Sequence, residues 1–188
     1  MLRRLNAVLV AAVCAMTLIG CVGSGGQGSS TQISPLPTIE PPKDMLIERT
    51  VFLSDETDAY SEYVVVYYGS DTHTLKEVSD EIHFLKSAGY TRSQLESLDI
   101  DQVFSGFSSL SFASRTVTDD GDYYSLVCRF KDLDKKENFV AIHNNGILTL
   151  DSTDVDTVDA DSVIKHLSSE GYKELQLSEY ANVGLHFQ

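Results

Sequence analysis

Tryptophan is absent, cysteine is scarce and positive charge is in deficit. The 188 residues hold no Trp, three Cys, and 14 Lys and Arg against 28 Asp and Glu. A net charge of −14 argues against nucleic-acid partners, whose phosphates require basic surfaces. It also repels anionic lipid headgroups. Three cysteines, Cys14, Cys21 and Cys128, make no disulfide framework. All four prolines fall between positions 35 and 42, so the rest of the chain runs free of proline breaks. Five histidines are scattered without an HExxH or a close pair, which leaves zinc unsupported. Ser105-Gly106-Phe107-Ser108 lacks the flanking glycines of a nucleophile elbow. No glycine-rich loop sits at a strand–helix junction to cradle phosphate. The longest apolar run, Leu5 to Ile19, is interrupted at Asn6 and Thr17 and falls short of the ~20 apolar residues of a spanning helix.

That run has another use. Arg3 and Arg4 precede it and Gly20-Cys21 closes it, the order of a secretory signal. Leu18-Ile19-Gly20-Cys21 resembles the lipobox of bacterial lipoproteins. The resemblance implies a diacylglyceryl group on Cys21, cleavage before it and acylation of the new amino terminus. Two acyl chains suffice for stable anchoring where one does not. Residues 1–20 are thus expected to be a lipoprotein signal peptide and 21–44 the lipidated cysteine with its linker. Gly23 to Ser30 is flexible, and Pro35, Pro37, Pro41 and Pro42 stiffen the second half of the linker. As a coil the linker spans on the order of 25–30 Å. Removing the signal takes two arginines and no acid, so the mature chain is more acidic still. With Cys14 removed and Cys21 lipidated, Cys128 has no partner; its apolar surroundings point to a buried, inert thiol.

Residues 45–188 are long enough for one domain with its own core. Glu48–Leu53 and Tyr60–Tyr68 read as strands, the latter β-branched and aromatic. Gly69-Ser70-Asp71 turns into Thr72–Phe84, read as a strand rather than a helix. After Ala88-Gly89-Tyr90, Thr91 and Gln94 form a capping box. The stripe Leu95, Leu98, Val103, Phe104, Phe107 and Leu110 comes next, interrupted enough to be two short helices. Leu110–Val117 and Tyr123–Phe130 read as a hairpin about Asp119-Asp120-Gly121-Asp122. Asn138–Ile142 and Ile147–Leu150 read as two more strands around Asn144-Asn145-Gly146. Ala160–Ser169 is a helix capped by Asp159 and ended at Gly171. The tail from Leu175 to Phe187 alternates weakly, as an edge strand would. The class is α+β: an antiparallel β-sheet with two main helices packed on one face.

Asp151 to Asp161 carries five carboxylates, but the spacing lacks the central glycine and terminal glutamate of an EF-hand, so an acidic loop before a helix is the better reading. No catalytic or metal-binding residue and no cofactor is assigned, and the chain is expected not to be an enzyme. The binding candidates are tyrosines, with Tyr63, Tyr67 and Tyr123 foremost, because the ring offers flat amphipathic contact; the competing reading is that tyrosine is simply favoured in sheets.

The order of elements carries a second resemblance. A lipobox and polar linker precede Tyr63-Val64-Val65-Val66-Tyr67-Tyr68-Gly69, Glu81-Ile82-His83-Phe84, a helix from Ser93, the Asp120-Gly121-Asp122 hairpin and Asp161 to Tyr172. This pattern, over roughly residues 45–172, is similar to the YehR-like family of small bacterial lipoproteins. The family has no assigned function, so the resemblance implies anchoring and no reaction. The acidic insert 151–158 and the tail after Tyr172 depart from it. The expectation is an extracytoplasmic protein of the cell membrane or envelope. Its partners are the membrane, through the lipid anchor, and a small ligand or cell-envelope protein. The alternative is a structural or assembly component of the envelope.

Overall fold

The structure, a computed structural model, describes residues 46–148 and 158–187. The signal, the Cys21 lipobox, the linker and most of the acidic loop lie outside the described residues.

Alternating and β-branched segments make a six-stranded sheet: β1 (Ile47–Glu56), β2 (Tyr60–Gly69), β3 (Leu75–Leu85), β4 (Ala113–Asp119), β5 (Tyr123–Phe130) and β6 (Lys173–Leu175). The order is β4-β5-β3-β2-β1-β6, and every neighbouring pair is antiparallel. Gly121, at φ +82°, supplies the left-handed residue of the β4–β5 turn. The segment from Thr72 becomes a strand from Leu75 onward, buried on both faces from Glu77 to Phe84.

The helices are α1 (Arg92–Glu96), α2 (Ile100–Val103), α3 (Lys136–Asn144), α4 (Ala160–Ser169) and α5 (Leu177–Tyr180). Gln94 Oε1 accepts the Thr91 amide at 3.1 Å, closing the capping box. Asp159 accepts the amides of Asp161 and Ser162, each at 3.2 Å, and caps α4.

Two strand assignments are overturned. Asn138–Ile142 lies inside α3, where Phe139 and Ile142, three residues apart, are both fully buried. A five-residue apolar run does not by itself separate strand from buried helix. Ile147 and Leu148 are not strand either. The Ile147 amide returns to the Ile142 carbonyl at 2.9 Å, and both side chains plug the core beyond the helix end. Thr149 and Leu150 are outside the described residues. In the tail, β6 is confined to three residues. The Gln176 amide donates to Glu179 Oε2 at 2.7 Å, and that cap turns the chain into α5.

Strand alternation sorts the interior into two apolar clusters. The larger joins Phe52, Val64, Val66, Ile82 and Phe130 to helical Leu95, Phe139, Ile142, Val163 and Leu167. The smaller joins the alternate residues Val51, Tyr63, Val65 and Tyr67 to Leu175 and Leu185, with Tyr180, Val183 and Phe187 against it. The second face is therefore covered as well, by the C-terminal tail.

Candidate functional site

On the tail-covered face, β3 presents Glu77, Ser79, Glu81 and His83, four polar residues at alternate positions and none more than 5% exposed. Register sets Tyr67 opposite Glu77 and Tyr63 opposite Glu81 on one side. On the other, Arg129 stands opposite Ser79 and Ser125 opposite His83.

Buried charge needs partners, and the tail supplies them. Glu81 accepts His83 Nε2 at 2.7 Å, His186 Nδ1 at 2.9 Å and the His186 amide at 3.0 Å. His186 Nε2 faces Asp120 Oδ1 at 3.4 Å, and Ser125 Oγ donates to Asp120 at 2.7 Å. Burial pushes Glu81 upward, but the hydrogen bonds from His186 and His83 outweigh it and hold the carboxyl below its ordinary value. The bond to Glu81 lifts His186 above its ordinary value against the opposing effect of burial. Tyr123 stacks on His83 at 4.3 Å and donates to the Val183 carbonyl at 2.9 Å. Burial, reinforced by Asp120 and Glu81, pushes its phenol up to about 12. Arg129 binds Glu77 at 2.8 Å and donates to the His186 carbonyl.

The candidate tyrosines Tyr63, Tyr67 and Tyr123 thus share one face. They do not form an open platform: Tyr63 and Tyr67 are 7% and 3% exposed, and Tyr123 is half-buried beneath the tail. Sequence reasoning missed Glu81, His83, Asp120 and His186. The visible signal was the alternation Glu77-Ser79-Glu81-His83, which reads equally well as a solvent-facing edge. Among the described residues, no group of three His, Cys, Asp or Glu is arranged to hold a metal. Glu81, His83, His186 and Asp120 engage one another, while the buried Tyr67 and Ser79 hydroxyls have no hydrogen-bond partner among the described residues.

Space opens at the Ile47 end of the same face, in a cleft of about 320 Å³. Tyr67 and Ile47 form its apolar walls, and Arg49, Lys76 and Lys131 bring three positive charges. The acids of the lining, Glu77 and Asp132, are matched by Arg129 at 2.8 Å and Lys135 at 2.5 Å. The Arg49 guanidinium lies 3.9 Å over the Phe187 ring, so one wall of the cleft touches the tail.

The opposite face buries Glu62 and Asp80 in the helix-covered core, each 1% exposed. Neither Asp80 oxygen has a hydrogen-bond partner among the described residues. Burial and the neighbouring acids Glu62 and Glu81 raise Asp80 well above its ordinary value. Burial and Asp55 raise Glu62 to about 7. Cys128 is buried nearby and free, its thiol pushed up by burial.

No protein-family model matches the chain, and no curated protein matches it. Two NMR structures are similar. One, of a protein from Streptococcus pneumoniae TIGR4, has a TM-score of 0.42 and 9% identity over 81% of this chain and 99% of that one. The other, of the E. coli YehR protein, has a TM-score of 0.48 and 10% identity over 71% of this chain and 94% of that one. The second of these is a YehR protein, the namesake of the family that the sequence resembles, and the similarity assigns no activity to this chain.

Proposed function

We propose that the chain is a lipid-anchored extracytoplasmic protein whose domain is a non-enzymatic binding module, with the cleft beside Tyr67 as its ligand site. The observation that carries the binding reading is that cleft. It falls within the range of small-molecule sites and is walled by one of the tyrosines that the sequence singles out. A non-enzymatic reading is favoured by the fate of the reactive groups: Ser125 is fully buried and bonded to Asp120, Glu81 is buried under His186, and Cys128 lies in the core. Leu18-Ile19-Gly20-Cys21 supports the anchor. The structural alternative draws on β4, whose outer edge faces no other strand among the described residues.

Cys21→Ser tests the anchor. The variant is expected to leave the membrane fraction or to accumulate uncut; normal processing with unchanged membrane association would defeat the proposal. For the module, a ligand panel read by thermal shift should raise the melting temperature through the cleft, since a ligand that binds only the folded state stabilises it by mass action.

A further inference from the structure

We infer that the cleft takes a small oxyanion, a carboxylate or phosphate group on a compact apolar body, held by Arg49 and Lys131. This deepens the binding reading above and rests on it. In a chain of net charge −14, three of the lining side chains are cationic. Glu77 and Asp132 are engaged by cations that lie outside the lining, Arg129 and Lys135. Lys76 is turned to Asp134 at 3.1 Å. Lys131 stands 3.9 Å from Glu77, at the outer limit of an ion pair, and half of its side chain is exposed. Among the described residues Arg49 has no carboxylate partner and rests on the Phe187 ring. Two cations with spare donors therefore border one opening. Guanidinium and ammonium groups recognise carboxylate and phosphate oxygens through charge-assisted hydrogen bonds. Tyr67 and Ile47 would take the apolar part of the ligand. The distant acids of the domain slow the approach of an anion without cancelling the local field, because charges more than about 8 Å away are largely screened at physiological ionic strength.

The test uses the full chain in a neutral detergent and four probes: benzoate, phenyl phosphate, inorganic phosphate, and benzylamine as a charge-reversed partner of the same shape. Benzoate or phenyl phosphate should raise the melting temperature saturably and shift the amide signals of Ile47, Arg49, Tyr67 and Lys131. Arg49→Gln and Lys131→Gln should each weaken the probe about ten-fold, equivalent to about 1.4 kcal/mol. Lys165→Gln, on an exposed face of α4, should leave it unchanged. Binding by inorganic phosphate alone assigns the oxyanion to a bare ion and overturns the apolar body. Binding by benzylamine in preference to the anions overturns the charge class and leaves the cleft a binding site. If none of the four binds, the cleft is not a site for small aromatic ions and the inference fails, along with the binding reading at this cleft. Anionic vesicles protecting these amides while soluble anions do not would assign the cleft to a lipid headgroup and also overturn the inference.

Discussion

Gly184 stands at φ +78°, and a β-carbon there would fall 2.2 Å from the Tyr123 hydroxyl oxygen and 3.6 Å from the carbon bearing it. Backbone strain and close approach act together, so Gly184→Ala should cost about 1–3 kcal/mol by chemical denaturation. Tyr123→Phe in the same chain deletes the clashing oxygen but leaves the strained φ, so it should restore only part of the loss. Full restoration would place the whole cost in the clash with the Tyr123 hydroxyl and none in the backbone, whereas no loss at all would show that the tail does not lie against Tyr123. At this scale the caps were legible in advance. Thr91 with Gln94, and Asp159 before α4, act within a few residues of themselves, and local hydrogen bonding leaves a local mark. Glu81 and His186 meet across 105 residues, and nothing near either position announces the other.

Among elements, the tail is the one most exposed to solution conditions. His186, raised in the folded state, stabilises docking fully below its unfolded value of about 6.5, and that support is lost as pH rises through the raised folded value. Glu81, depressed in the folded state, stabilises docking above its unfolded value of about 4.5, and that support is lost as pH falls through the depressed folded value. The tail should therefore hold best between about pH 4.5 and 6.5, read from amide exchange at Leu185 and His186. His83, Asp120, Arg129, Glu77, Tyr63 and Tyr123 face the same cluster and are left unaltered by the substitution that tests His186. His186→Gln should flatten the alkaline limb and leave the acid limb in place; an unchanged alkaline limb would rule out this histidine as its source. Sequence patterns identified the hairpins and α4 by their turn signals and period, and β3 because it follows the Gly69-Ser70-Asp71 turn and carries the poor helix formers Thr72, Thr74 and Val78. They failed at α3, where Phe139 and Ile142 fit helical spacing but the short run between them also fits a strand. They failed again in the tail, whose weak alternation hid a capped turn at Gln176 and Glu179.

For the molecule as a whole, the buried acids Glu62 and Asp80 set the direction of its pH response. Both are raised in the folded state, so the native protein keeps protons that the unfolded chain sheds, and stability falls as pH climbs between the two values. For Glu62, raised to about 7, the loss is on the order of 3 kcal/mol between the two limits. Glu62→Gln should reduce the slope of stability against pH between about pH 5 and 7, measured by urea unfolding at a series of pH values; an unaltered slope would place the proton elsewhere. The α+β class was legible from the order of strands and helices. The covering of both sheet faces was not, because the second cover is an irregular tail with no long period to read.

Cys128 gives this architecture a built-in clock. Its thiol is 2% exposed on β5, a strand hydrogen-bonded to β4 on one side and β3 on the other. An alkylating reagent reaches that sulfur only when the packing over β5 parts, so the rate of thiol capture counts openings of the core. Fraying of the tail on the opposite face leaves that count untouched. One native atom thus separates, in time, the loosening of a cover from the opening of the fold.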